Sequence, residues 1–256
     1  MNALAPLPST LSSNELHGFL RSRRSIRFYK PNVPDPVVLE RLFLTAGMAP
    51  SAHNRQPWRY AVIVDTGEKQ KLAEAMGDRL VQDRTRDGDT RESIKADVER
   101  SYRRVVDAPV VVIVALTLAD MDRYPDAARM RAEYLMAVQS TAMATQNLLL
   151  AAHAEGLGAC WMCAPLFCPD TVRAVLNLSA NWEPQGLLTL GYPARPGKLK
   201  PRPPLSAFVQ DLRTPGHGAA CLPSPPSEEF SSATSGTQHF LDSPHFNSAN
   251  FISSVA

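Results

Sequence analysis

Pro50-Ser-Ala-His-Asn-Arg-Gln-Pro-Trp58 sets a hydroxyl, an imidazole, two carboxamides, a guanidinium and an indole between two prolines. An amphipathic run from Val37 to Met48 leads into it, and the apolar segment Tyr60-Ala-Val-Ile-Val64 leads out. A plain turn needs one proline or one asparagine. A stretch this dense in hydrogen-bonding heads, placed between a helix and a strand, reads as a ligand loop on a rigid frame.

Upstream of that loop, Ser12-Ser-Asn-Glu15 has the form of a capping box, and Leu16, Phe19 and Leu20 supply a helical face. This first helix is expected to end near Arg21 to Arg24. Pro34-Asp-Pro36 opens a second helix, with Val37, Val38, Leu42, Leu44 and Met48 as its apolar positions. Downstream, the Tyr60–Val64 strand is followed by a short helix from Thr66 to Met76. From Gly77 to Arg104 the chain is highly charged, which suits a surface helix or a mobile lid. Asp107 to Leu116 is a run of β-branched residues without alternation, the pattern of a strand buried on both faces.

Ala127 to Glu155 reads as one long helix stopped by Gly156. At about 1.5 Å per residue it reaches about 45 Å, more than most single domains need. Its alanines and methionines are spread around the axis, as they would be at a subunit interface. Gly158 to Ala164 and Gln185 to Gly191 are further strands, with a helix from Cys168 to Leu176 between them. Leu205 to Leu212 is expected to be a strand or a short helix. The organisation that follows is a loose leader (1–13), one folded domain (14–212) and a Ser/Pro-rich tail (213–256) expected to be disordered. His239-Phe240, His245-Phe246 and Asn250-Phe251 recur in the tail, as a docking motif or by chance.

The 256 residues are 44% hydrophobic, enough for a real core, and the net charge of +2 is too small to argue for nucleic acid or an anionic membrane. From Thr214 onward there is no Lys or Arg, so the preceding body carries about +5. A modestly basic body suits a small anionic ligand such as a phosphate ester. No basic, apolar leader marks secretion, and the longest apolar run, Pro109 to Leu118, is far short of a membrane span. A cytoplasmic protein with reduced thiols is the expectation.

Cys160, Cys163 and Cys168 invite a metal reading, but a tetrahedral zinc site needs a fourth ligand, and Cys221 falls in the tail. Cys160 and Cys163 also sit in an apolar stretch beside Trp161 and Met162, where cysteine acts as a small hydrophobe. No metal is expected. There is no Gly-rich phosphate loop and no G-x-S-x-G elbow. His53 could act as a base beside Ser51, yet no neighbouring carboxylate is placed to orient it. What remains is an anion site built from side chains: Arg23, Arg24, Ser25 and Arg27 with Lys198, Lys200 and Arg202. The alternative is that the arginines cap a helix C-terminus and the two basic groups are unrelated surface patches.

The order R-R-S-x-R (Arg23 to Arg27), A-P-S-x-x-N-x-Q-P-W (Ala49 to Trp58), then G-Y-P (Gly191 to Pro193) followed by Lys200 and Arg202, resembles the nitroreductase family of FMN-dependent oxidoreductases. The resemblance spans about Asn14 to Leu212. Ser51 to Trp58, taken with Cys160 to Asp170, is similar to the FMN domain of the bifunctional ligase that matures coenzyme F-420. The resemblance implies an α+β fold, a mainly antiparallel sheet flanked by helices, in a homodimer with the long helix at the interface. It implies FMN held by Arg23, Arg24, Ser25, Arg27, Lys200 and Arg202. Pro50, Ser51, Ala52 and Asn54 would reach the flavin from the partner subunit, with Met162, Cys163 and Ala164 passing its ring. His53 would be a substrate-side contact. Chemistry would reside on FMN, so no protein residue is expected to be catalytic. A hydride from NAD(P)H or a reduced deazaflavin would pass to a small electron-poor acceptor. A reductase of coenzyme F-420 biosynthesis and a non-catalytic flavin-binding or interaction protein are the alternatives.

Overall fold

The computed structural model describes residues 12–210. Most of the leader and the whole tail from 213, with its recurring phenylalanines, lie outside the described residues. The chain divides after Lys198, and the unit that follows contains one short 3-10 turn, Leu205–Ala207, among its described residues.

In the main body a four-stranded antiparallel sheet is built from β1 (Trp58–Ile63), β2 (Val110–Leu116), β3 (Gly158–Met162) and β4 (Glu183–Gly191), in the order β1-β2-β4-β3. Among the described residues six helices accompany it: α1 (Ser13–Ser22), α2 (Pro36–Gly47), α3 (Thr66–Arg86), α4 (Arg91–Val106), α5 (Ala127–Ala154) and α6 (Pro169–Val175). The architecture is α+β.

β2 is fully buried along its whole length because the sheet is covered on both faces. Val110, Val112 and Val114 join Leu42, Ala46, Leu148 and Ala152 of α2 and α5 on one side. Val111 and Ile113 join Leu72, Val105 and Val172 of α3, α4 and α6 on the other. A two-faced core of this kind selects the unbroken apolar run seen in the sequence.

The helix starts follow local chemistry. Ser12 and Glu15 form both halves of a capping box, Asp35 caps α2 ahead of Pro36, and Asp126 caps α5. The stretch expected to be a short helix and then a surface helix or lid is a helical hairpin. α3 runs through Gly77 to Arg86, and α4 returns from Arg91 after a turn at Gly88 (φ +84°). Gly77 does not stop the helix; it is buried where α3 meets α4, and a Cβ there would lie 3.3 Å from Val98 Cγ1. Arg84 ties the hairpin together, bonding Asp89 at 2.6 Å and Ser93 at 3.0 Å and pairing with Asp97.

Candidate functional site

Beyond α1 the chain becomes extended and runs beside β3, the outer strand of the sheet. Ser25 pairs with Ala159 in a parallel bridge, and the Ile26 amide donates to the Ala159 carbonyl at 3.0 Å. Four residues on, Lys30 N–H donates to the Tyr192 carbonyl at 2.8 Å, and Ala194 N–H donates to the Phe28 carbonyl at 2.9 Å. Tyr29 pins the segment from beneath: its hydroxyl donates to the Ile26 carbonyl and lies 2.8 Å from Thr189 Oγ1. The approach requires Gly158, because a Cβ there would come within 2.6 Å of Ile26 Cβ. Ile26 is buried, and strand alternation turns Ser25 and Arg27 the other way.

Arg27 Nε and Nη2 are buried and make no hydrogen bond among the described residues. Arg104 of α4 shares this environment: burial first, then the charges of Arg27 and Arg100, hold it below the ordinary arginine range. The Cys160 thiol lies in the same group. Burial pushes it up, while Arg27, Arg104 and Arg23 pull it the other way. Like charges gathered in a partly desolvated place, one with unmet donors, carry a cost that an anionic partner would offset. Arg104 was not foreseen from the sequence, where it is one of many arginines in a charged run. Arg24 differs, for its Nη1 donates to the carbonyls of Arg21 at 2.5 Å and Arg23 at 2.8 Å. In this structure it caps the end of α1, the role the charge pattern offered as an alternative.

The Pro50–Trp58 loop opens with a 3-10 turn, Ala52–Asn54, seated on α5 through the Ala52 amide, which donates to Ser140 Oγ at 3.2 Å. His53, Asn54 and Gln56 all have left-handed backbones, with φ of 50°, 54° and 49°. Three non-glycine residues in that region within four positions store strain, which native loops keep where function needs it. Internal bonds hold the shape: Gln56 N–H donates to Ser51 Oγ at 3.1 Å, and Gln56 Nε2 donates to Asn54 Oδ1 at 3.2 Å. Pro57 is buried, and its carbonyl accepts from Thr117 N–H at 2.9 Å, fixing the exit into β1. Pro50, His53 and Asn54 are exposed, and Ser51 and Ala52 are half-buried.

β3 ends at Met162, and Met162, Cys163 and Ala164 are half-buried at the entry to a second 3-10 turn, Ala164–Phe167. Trp161 Nε1–H points to Cys163 Sγ at 2.9 Å. Cys168 is buried and its thiol is pushed up to about 11 by that burial, so it stays protonated at neutral pH. Thus Ser25 and Arg27 come together with β3, the strand that delivers Met162 to Ala164. Lys200 and Arg202 belong to the unit beginning at Leu199.

The sequence model of the nitroreductase family matches residues 20–192, from the end of α1 to the close of β4. The chain belongs to the nitroreductase family. Among its relatives is a Cr(VI) reductase of Pseudomonas sp. (strain G-1), 27% identical over 198 residues, covering 75% of this chain and 72% of the relative. A protein of Archaeoglobus fulgidus classed as an NADH dehydrogenase/NAD(P)H nitroreductase is 26% identical over 176 residues, covering 67% of this chain and 82% of the relative. A Desulfovibrio desulfuricans protein classed as a nitroreductase and crystallised in complex with FMN superposes with a TM-score of 0.60 at 28% identity, covering 80% of this chain and 100% of that one. The chain therefore has the fold of this family.

Proposed function

We propose that this chain is an FMN-dependent oxidoreductase that works as a homodimer. The observation that carries the reading is half-buried Arg27, whose Nε and Nη2 have no partner among the described residues and whose charge acts on Arg104 and Cys160. Such a group fits the pyrimidine edge of a flavin, which gains negative charge when the flavin is reduced. Arg23, Arg24 and Ser25 would extend the same basic segment toward the ribityl phosphate. Met162, Cys163 and Ala164 would lie along the ring. When bound, FMN supplies the redox chemistry, taking a hydride from NAD(P)H or a reduced deazaflavin and passing it to an electron-poor acceptor in ping-pong order.

Dimerisation would let Pro50, Ser51, Ala52 and Asn54 of one protomer approach the flavin of the other, with His53 toward the substrate. In support, α2 and α5 carry large apolar side chains in the open: Val37, Leu44, Leu135 and Met143, with Met48, 77% exposed, just past the end of α2. Apolar exposure of that extent on two neighbouring helices marks an association surface. Light scattering on the purified chain tests it, and a monomer at micromolar concentration would refute the shared site.

The cofactor is tested by anaerobic titration. The protein should take up FMN and bleach on adding NAD(P)H. Failure to bind added FMN would sink the reading. Binding without bleaching by nicotinamide, but with bleaching by a reduced deazaflavin, would instead favour the role in coenzyme F-420 chemistry.

A further inference from the structure

Glu133, near the start of α5, is only 2% exposed, and its Oε2 makes no hydrogen bond among the described residues. A carboxylate in that position is expensive to keep unless something positive meets it. Its neighbours are donors of the kind that bind metals. One atom each from His53, Asp122 and Glu133 lie within 4.8 Å of one another. They come from three separate places: the strained loop, the connection after β2, and α5. The nearby cation is already engaged, as Arg55 Nη2 donates to Asp122 Oδ1 at 2.6 Å, about 40% exposed. A carboxylate has about four lone-pair sites, so that bond leaves Asp122 able to accept again.

We propose that His53, Asp122 and Glu133 bind one divalent first-row transition ion, of which zinc and manganese are the natural probes. One imidazole and two carboxylates form a mixed nitrogen and oxygen set, which suits zinc, manganese or iron over calcium or copper(I). Metal bonds of about 2.0–2.2 Å need ligand atoms about 3.3 Å apart in a tetrahedral site, so the trio must close modestly, with water completing the shell. His53 is the exposed member of the three, and rotation of its side chain can supply that movement. The bound ion neutralises Glu133 and ties the Ala52–Asn54 turn to α5 at a second point beside the Ala52–Ser140 bond. The site lies within one chain and does not depend on the flavin reading.

The full-length chain, stripped with chelator, is titrated with Zn²⁺ and then Mn²⁺ by calorimetry, beside Glu133→Gln and His53→Gln. The histidines and the cysteine of the tail (His217, Cys221, His239, His245) are common to all three proteins, so the informative quantity is the difference between them. One site per chain should be present in the wild type. Each substitution should weaken it by more than the roughly 10–100-fold lost with an outer-shell partner. His53 is exposed, so its variant keeps the fold, and Zn²⁺ should raise the melting temperature of the wild type more than that of His53→Gln. Equal titrations for all three proteins, or an equal metal-dependent shift in melting temperature, would overturn the site.

Discussion

The Ile26 amide and the Ala159 carbonyl, 3.0 Å apart, join the arginine segment to the outer edge of the sheet. That seam sets the backbone next to Arg27, and Gly158 is what lets the two backbones approach. In Gly158→Ala the new methyl meets Ile26 Cβ, which sits next to the backbone and cannot swing away. The variant should lose about 1–3 kcal/mol of stability and hold FMN more weakly. Thermal melting with and without FMN checks it. An unchanged FMN affinity would mean that the seam does not position the flavin site.

Arg104 offers a test whose two readouts have opposite signs. Its charge is unfavourable without a ligand, since burial first and then the charges of Arg27 and Arg100 oppose it. With an anion present, Arg27 and Arg104 both gain. Arg104→Met should therefore leave the apo protein as stable as the wild type or more so. FMN affinity should fall by about 1.5–3 kcal/mol, the usual worth of a hydrogen bond to a charged group. A parallel loss in apo stability with no change in FMN affinity would make Arg104 a structural residue.

How far the sequence reveals this molecule depends on whether the determinant is local. The capping box at Ser12 and the two-faced β2 are local patterns, and both appear as read. Gly77 misleads because glycine ends helices by backbone freedom but also permits close helix crossing, and only the tertiary contact with Val98 distinguishes the two. Arg104 looks like its neighbours until α4 is docked, although Ile94, Val98, Tyr102 and Val105 trace a helical stripe beside it. The trio of His53, Asp122 and Glu133 has no spacing to recognise, because three distant segments bring it together.

Arg84 makes the helical hairpin a fixed element. Its side chain is 12% exposed and faces both Asp89 and Asp97. Removing it leaves half-buried Asp89 without its cation and half-buried Asp97 with Arg100 alone. Arg84→Met should cost about 1–3 kcal/mol, between the values typical of surface and buried pairs. Hydrogen exchange should rise across α3 and α4 while the sheet stays protected. Exchange that rises everywhere equally, or nowhere, would contradict a local staple.

His153 gives α1 a dependence on pH. Its ring stacks on Phe19 at 4.9 Å, and its Nε2 lies 2.7 Å from Ser22 Oγ. Burial first, then the charges of Arg23 and Arg24, lower its pKa from the ordinary 6.5. A folded-state pKa below the unfolded one means that the unfolded chain takes up the proton first on acidification. The contribution of His153 is thus complete above the ordinary value and lost as pH falls from 6.5 through the lowered folded value. Since α1 leads directly into Arg23, the same acidification should loosen the arginine segment. Chemical denaturation followed from about pH 7.5 to about pH 5 should show stability declining in the wild type. His153→Gln, which cannot take up a proton, should show a shallower decline over that window, and hydrogen exchange in α1 should no longer respond to it. An identical slope in the two proteins would remove His153 as the cause and leave the acid response to the carboxylates.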